Sequence, residues 1–191
     1  VGLPDGTAQR LTADIAVRDL LIAGMGDSIA AGEGNPDQPI LLDDEGFCFR
    51  RFLGAAQSEY FRPGRAGFKG DKACGAASGA GSATSDWSRL NARWMNAACH
   101  RSLYGYQLRA ALAVAIENPQ VAVTFLPLAC SGSTIELGFL GSLRARECPP
   151  AGACTTNNVA QMTRLKEALD LAQKTDKQRK LDAILLTIGA N

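Results

Sequence analysis

The 191-residue chain predicts an α/β fold built around a parallel sheet, and two observations support this prediction. Short apolar segments of strand length alternate with longer segments whose apolar residues recur at helical spacing. Each apolar segment also ends in a turn that contains glycine and polar residues. Such alternation favours parallel strands joined by right-handed crossovers, and the functional site of such a sheet lies beyond the carboxyl ends of its strands.

The first half of the chain contains one clear strand and a long irregular segment. The apolar run from Asp19 to Gly26 predicts a buried strand, and a helix is expected to begin near Ile29. Gly32 and Gly34 should loosen that helix within a few residues. Periodicity then fades, so we interpret the region at about 33–100 as an insertion pinned by disulfides, either a plain surface excursion or a wall of a substrate cleft.

The second half of the chain returns to regular alternation. A helix is predicted from Ser102, which can cap it, to Asn118, where the following proline ends it. A strand is predicted from Val121 to Cys130, a helix from about Asn158 to Gln173, and a last strand from Leu181 to Ile188. Polar turns with the sequences GDS, CSGS and IGAN therefore lie at three neighbouring strand ends.

Composition and charge exclude some classes of function and favour an exported protein. A net charge of +1 argues against a protein that binds nucleic acid or anionic membranes through a basic surface. A metal site is disfavoured because the chain has no C-x2-C pair and only one histidine, His100. An even number of cysteines favours disulfides, hence a secreted or periplasmic location, although their pairing stays open. The six cysteines are Cys48, Cys74, Cys99, Cys130, Cys148 and Cys154.

Ser28, in the sequence GMGDSIAAGEG, allows three interpretations. It can be a helix cap, a nucleophile exposed at a strand-to-helix turn, or part of a glycine-rich phosphate loop. The phosphate loop is disfavoured, because Ile29 stands where a dinucleotide fingerprint needs its third glycine and no lysine follows Gly32. Cap and nucleophile are compatible with each other, and only the nucleophile explains why polar turns also follow the other two strands.

The three strand-end sequences resemble the conserved blocks of the SGNH (GDSL) hydrolase family, secreted bacterial lipase and esterase-like branch. GDSIAAGEG resembles the first block, which implies that Ser28 is the nucleophile. ACSGSTI resembles the second block, which implies that the Gly132 N–H belongs to the oxyanion hole. TIGAN resembles the start of the third block, which implies that the Asn191 side chain is another oxyanion donor and the Ser28 N–H completes the set. The sequence CHRS before a helix also resembles this branch.

The family's fourth block, D-x-x-H, has no counterpart in the sequence. The only histidine of the 191 residues, His100, precedes two of the three blocks. It is open to three interpretations: a base reached by rearrangement, a structural residue beside Cys99, or a residue of the cleft wall. We expect residues 1–191 to be the N-terminal portion of a single SGNH domain, with a flavodoxin-like three-layer α/β/α fold that is incomplete in this chain. A further segment is expected to supply the catalytic Asp and His, so the chain alone should be nearly inactive.

The resemblance implies a serine esterase or lipase that forms an acyl-enzyme on Ser28, without metal or organic cofactor. Asp27 is assigned to turn structure and not to the triad, because its neighbour Ser28 would already hold the histidine. The substrate is a small-molecule, lipid or glycan ester whose identity the sequence leaves open. One alternative is a non-catalytic module that binds carbohydrate or lipid on the same scaffold, and another is a flavodoxin-like nucleotide binder.

Overall fold

The structure of the protein is a computed structural model that describes residues 12–43, 92–146 and 157–189, with Gly6 and four short strand segments between 46 and 73. The main strands are β1 (Arg18–Gly26), β7 (Val121–Pro127) and β10 (Ala183–Thr187), and the helices are α1 (Ser28–Ala31), α2 (Tyr106–Glu117) and α3 (Gln161–Thr175). The remaining strands are short: β2 (Leu42–Asp43), β3 (Gly46–Phe47), β4 (Phe49–Arg50), β5 (Tyr60–Arg62), β6 (Lys72–Ala73), β8 (Leu143–Arg144) and β9 (Asn157–Asn158).

The main sheet has three parallel strands in the order β7–β1–β10, so the first strand of the chain lies in the middle. Arg18 pairs with Val121 at one end of the β1–β7 ladder, and Gly26 pairs with Thr187 at the far end of the β1–β10 ladder. A parallel pair needs a crossover of at least about ten residues, which α2 and α3 provide. The predicted α/β fold with a parallel sheet is confirmed at this level.

Strand β1 is buried because it has a neighbouring strand on each side and helices that pack on the sheet. Its residues from Leu21 to Gly26 are all buried, which agrees with the continuous apolar pattern of a central parallel strand. Ala23 and Met25 form a core cluster with Leu165 of α3. Partly buried side chains complete this cluster: Leu126, Leu128, Phe139, Leu169 and Leu181.

The predicted elements exist, but two helices begin later than the sequence predicts. Helix α2 begins at Tyr106 with Gly105 at its N-cap position, so the expected cap by Ser102 is wrong. The Ser102 hydroxyl instead accepts a hydrogen bond from the Tyr104 N–H at 2.9 Å, which makes a separate polar turn before the helix. Helix α3 begins at Gln161, because Asn158 pairs with Leu143 in the β8–β9 ladder.

Strand β10 contrasts with β1, since every second residue of β10 is exposed to solvent. Ile184 is 48% exposed and Leu186 is 49% exposed. Within the described residues, β10 pairs with β1 on one side and with no strand on the other. The apolar side chains of β10 are therefore only half covered by the described part of the chain.

One of the predicted disulfides lies among the described residues and joins Cys99 to Cys130. The other four cysteines lie outside the described residues, as does most of the proposed insertion at about 33–100, so the domain prediction stays a prediction. Within the described ranges, no helix is both long and apolar enough to cross a membrane.

Candidate active site

The turn after β1 requires glycine at position 26. Gly26 has φ of +129°, a backbone conformation that other residues rarely adopt. A Cβ atom at this position would overlap the carbonyl oxygen of Thr187 on β10, which the Asp27 N–H approaches at 2.9 Å. The chain therefore leaves the central strand through a close backbone contact that fixes where the next two residues lie.

Asp27, and not Ser28, caps helix α1. The Asp27 carboxylate accepts a hydrogen bond from the Ile29 N–H at 3.1 Å, and Asp27 is fully buried. Helix α1 spans only Ser28–Ala31 and ends at Gly32, which has a left-handed conformation. The assignment of Asp27 to turn structure agrees with this geometry, and the interpretation of Ser28 as the cap is wrong.

Ser28 is the first residue of α1 and is partly buried. Its position places it directly after the central strand, at the end of the helix where backbone N–H groups are not used by helical hydrogen bonds. The Ser28 carbonyl accepts hydrogen bonds from the N–H groups of Gly32 and Glu33, both at 3.1 Å. The Ser28 backbone is therefore tied to Glu33, which follows the helix.

The turn after β7 lies beside this one. The Cys130 N–H donates to the Gly26 carbonyl at 3.0 Å, and the Ser131 N–H donates to the Cys99 carbonyl at 3.0 Å. Gly132 follows with φ of +81°, and a Cβ atom there would lie 2.6 Å from the Arg146 guanidinium. Two of the three sequence-predicted strand-end turns are thus brought together by backbone hydrogen bonds.

Two of the three predicted oxyanion donors, Ser28 and Gly132, lie among the described residues. Within the described part of the chain, neither the Ser28 N–H nor the Gly132 N–H has a hydrogen-bond partner. Asn191 lies outside the described residues, although the preceding Gly189 follows β10 closely. The structure therefore brings together the turns that carry Ser28 and Gly132 and does not describe Asn191.

His100 is buried and bonded to an acidic residue. Its side chain is 2% exposed, its Nδ1 lies 2.8 Å from the Glu33 Oε1, and its ring stacks on Trp94 at 3.9 Å between centroids. His100 also has a positive φ of 48°, which is unusual for a residue other than glycine. Of the three interpretations of His100, this geometry favours the structural one.

Glu33 connects several parts of this site. Its second carboxylate oxygen accepts a hydrogen bond from the Ser131 hydroxyl, and its carbonyl accepts one from the Trp94 Nε1 at 3.1 Å. The hydrogen bond from His100 lowers the pKa of Glu33 below 4.5, and Ser131 and the charge of Arg146 act in the same direction, whereas burial opposes them. Glu33 is therefore a carboxylate at neutral pH and can only accept hydrogen bonds.

Two buried glutamines, one on α2 and one on α3, bind the backbone at the carboxyl end of β1. Gln161 of α3 accepts from the Gly26 N–H and donates to the Gly26 carbonyl, both at 2.8 Å, and also donates to the Ser133 hydroxyl at 3.0 Å. Gln107 of α2 donates to the carbonyls of Met25 and Leu185 at 2.9 Å and 2.7 Å. Each glutamine thus satisfies backbone groups that strand pairing leaves open.

The sequence interpretation missed these four partners of the strand ends: Glu33, Gln107, Ser131 and Gln161. One sequence signal was available for the glutamines, since each stands near the start of a predicted helix. Their burial within the first two residues of α2 and α3 is seen only in the structure. For Glu33 and Ser131 the only signal was their place inside the first and second blocks, GDSIAAGEG and ACSGSTI.

Comparisons of the chain with protein-family models, with curated proteins and with solved structures found no match.

Proposed function

We propose that the protein is the nucleophile-bearing part of a serine ester hydrolase of the SGNH type. The sheet order β7–β1–β10 supports this, because a flavodoxin-like sheet has the order 2-1-3-4-5 and the three described strands have the order 2-1-3. The sequence resemblance in three blocks points to the same fold. In this proposal the free edge of β10 pairs with the next strand of the domain, and a helix of the remaining segment covers its exposed apolar side chains.

One observation carries the proposal. Asp27 takes over the capping of α1, and the neighbouring Ser28 sits at the helix N-terminus beside the Gly132 turn, to which backbone hydrogen bonds of Gly26 connect it. The two N–H groups that the reaction needs, those of Ser28 and Gly132, have no other partner in the described part of the chain.

The proposed reaction is a two-step hydrolysis through a covalent intermediate. The Ser28 Oγ attacks the ester carbonyl carbon while a histidine takes the hydroxyl proton, and the carbonyl oxygen becomes negative. The Ser28 and Gly132 N–H groups and the Asn191 amide stabilise this oxygen. The C–O bond to the alcohol then breaks, the histidine protonates the alcohol, and a water molecule releases the acid from Ser28 by the same steps.

The histidine of this mechanism is assigned to a segment outside these 191 residues. His100 is the only histidine of the chain, and its ring is enclosed by Glu33 and Trp94 with 2% of the side chain exposed. A general base must reach the serine hydroxyl within hydrogen-bond distance and turn over with each cycle, which a stacked and buried ring is poorly suited to do.

A nucleotide-binding function is less well supported by the same turn. A phosphate at a helix N-terminus would use the free backbone N–H groups of the first turn. Here the Asp27 carboxylate already accepts from the Ile29 N–H, so this donor of the first turn is not available to a phosphate. Helix α1 also has only four residues, so its dipole is short.

The proposal is tested with a fluorophosphonate probe on the full-length natural protein. We expect covalent labelling of Ser28, found by mass spectrometry of the labelled peptide, and loss of labelling in Ser28→Ala. Ser102→Ala is the matched control, because Ser102 is a buried turn serine on another loop, and labelling should persist in this variant. A folded wild-type protein that is not labelled at Ser28 would overturn the hydrolase and favour the non-catalytic carbohydrate- or lipid-binding module.

A further inference from the structure

The cluster around Glu33 links the two turns that the proposed reaction uses. Glu33 is five residues after Ser28, and its N–H bonds to the Ser28 carbonyl at 3.1 Å. Its carboxylate then accepts two hydrogen bonds from two other loops, one from His100 and one from Ser131. Ser131 directly precedes Gly132, so a single side chain joins the nucleophile turn to the oxyanion turn.

The partners of Glu33 are themselves held together. His100 and Ser131 each follow a cysteine of the Cys99–Cys130 disulfide, and the Ser131 N–H bonds to the Cys99 carbonyl at 3.0 Å. Trp94 closes the cluster, since its ring stacks on His100 and its Nε1 donates to the Glu33 carbonyl. Covalent and hydrogen bonds thus form a closed loop in which the Glu33 carboxylate is the only charged acceptor of the contacts described.

We propose that Glu33 is a positioning residue that sets the distance between the Ser28 hydroxyl and the Gly132 N–H by binding His100 and Ser131 at the same time. This inference rests on the proposed hydrolase function and assigns no proton transfer to Glu33. Transition-state stabilisation depends on donors placed to within a few tenths of an ångström of the oxyanion. A displacement of about 1 Å can lower the rate of an enzyme about 100-fold.

The cluster also determines that the Nδ1 of the His100 ring carries a proton. Because the ionised Glu33 carboxylate can only accept, the short contact at 2.8 Å requires a proton on the His100 Nδ1. The imidazole nitrogen signals of His100 can be assigned in a long-range 1H–15N spectrum of the full-length protein by their loss in His100→Asn. We expect a protonated Nδ1 in the wild type at neutral pH and a shifted Nδ1 signal in Glu33→Gln.

The kinetic test compares wild type, Glu33→Gln, Glu33→Ala and Ser131→Ala of the full-length protein with p-nitrophenyl acetate. We expect Glu33→Ala to lower kcat by about 10- to 100-fold with a change in KM of less than about threefold, because oxyanion placement acts mainly in the transition state. Glu33→Gln should lose less, since its amide oxygen can still accept one of the two hydrogen bonds. Glu117→Gln, at an exposed position of α2, is the matched control and should keep the wild-type kinetics.

A double variant and a folding measurement keep the result unambiguous. If Glu33 and Ser131 act through their shared hydrogen bond, the kcat loss of the double alanine variant is smaller than the product of the two single losses. Should Glu33→Ala fail to fold by circular dichroism, Glu33→Gln and Ser131→Ala decide alone. If the wild type turns over and the Glu33 and Ser131 variants have the same kinetics as Glu117→Gln, the positioning role is overturned and the proposed function is not. An unprotonated His100 Nδ1 has the same consequence. A wild type without turnover or Ser28 labelling overturns the proposed function and this role together.

Discussion

The carboxyl end of β1 and the outer strand β10 lie side by side in one sheet and are built in opposite ways. At the end of β1, backbone groups are bonded by buried polar side chains from two helices, those of Gln107 and Gln161. On β10, Ile184 and Leu186 are apolar and about half exposed, at 48% and 49%. The polar end is fully enclosed, whereas the apolar strand is not.

This difference separates what fixes geometry from what supplies burial. Hydrogen bonds are directional, so several of them on Gly26 hold one backbone arrangement beside Ser28. Apolar contacts are non-directional and tolerate rearrangement as long as the volume is filled. The described part of the chain thus concentrates its directional interactions where the proposed chemistry needs them and leaves its incomplete apolar cover at the outer strand.

The largest loss of stability is expected from a substitution of Gly26, the glycine at which the polar turn begins. In Gly26→Ala the new Cβ atom would overlap the Thr187 carbonyl at a φ of +129°, so we expect the free energy of unfolding to fall by about 3 kcal/mol or more. Gly34→Ala is the control, because a Cβ atom at Gly34 meets nothing within 4 Å. Urea denaturation of both variants measures the difference, and equal stabilities would contradict the close contact between β1 and β10.

A smaller loss of stability is expected from the removal of one of the two buried glutamine side chains. Gln161→Ala leaves the buried Gly26 N–H without its partner, so the free energy of unfolding should fall by about 2–3 kcal/mol. Gln173→Ala, more than three turns further along the same helix, removes an exposed glutamine that donates to the Arg179 carbonyl, and should cost less than about 0.5 kcal/mol. Thermal denaturation of the pair checks this, and a loss as small as that of Gln173→Ala would argue against the polar network as the element that fixes Gly26.

The stability of the protein at acid pH tests the contribution of the Glu33 carboxylate. The pKa of Glu33 is lower in the folded protein than its ordinary value of 4.5, chiefly because His100 donates to it. A carboxyl with a lowered folded pKa contributes stability that is complete above its ordinary pKa and is lost as the pH falls through the folded pKa. We therefore expect the free energy of unfolding to drop below pH 4.5, and to drop less steeply in Glu33→Gln than in the wild type.

Urea titrations at a series of pH values between neutrality and acid measure that difference. Glu117→Gln serves as the control because it removes an exposed carboxyl of the same type. Parallel curves for wild type and Glu33→Gln would mean that the hydrogen bond from His100 to Glu33 contributes nothing to the folded state.

The smallest effect is expected on the outer strand. Leu186→Ala removes a side chain that is 49% exposed, so we expect a loss of about 1 kcal/mol, compared with about 2–5 kcal/mol for Leu21→Ala at 3% exposure on β1. Chemical denaturation of the two variants gives both values. A loss at Leu186 as large as that at Leu21 would indicate that other residues cover β10 in solution, which would remove the contrast between the two strands.

The sequence predicted the parallel sheet because the period of its apolar residues changes between strand and helix segments. The predicted first strand, Asp19 to Gly26, differs from β1 by one residue, since continuous burial gives it a strong apolar pattern. The GDS and CSGS turns lie together as predicted, because the carboxyl ends of parallel strands meet at one edge. The IGAN turn stays a prediction, since Asn191 lies outside the described residues.

Long-range polar contacts could not be predicted in the same way. A serine cap has a local signature, yet Ser102 is not the cap, because the chain makes a turn of its own before α2. Glu33 is 67 residues from His100 and 98 residues from Ser131, and no periodicity links positions so far apart. Hydrogen-bond partners at such separations follow from the completed fold and not from any local pattern.

The Cys99–Cys130 disulfide affects how the protein has to be produced. The bond spans 31 residues of sequence that contain α2 and β7, a loop for which cross-linking the unfolded chain is worth about 4 kcal/mol. Expression in a reducing cytoplasm would yield a chain without this cross-link, in which His100 and Ser131 are no longer covalently tied to each other. Periplasmic or oxidative refolding routes, with a thiol titration of the product, are therefore the appropriate source of material for every assay of Ser28.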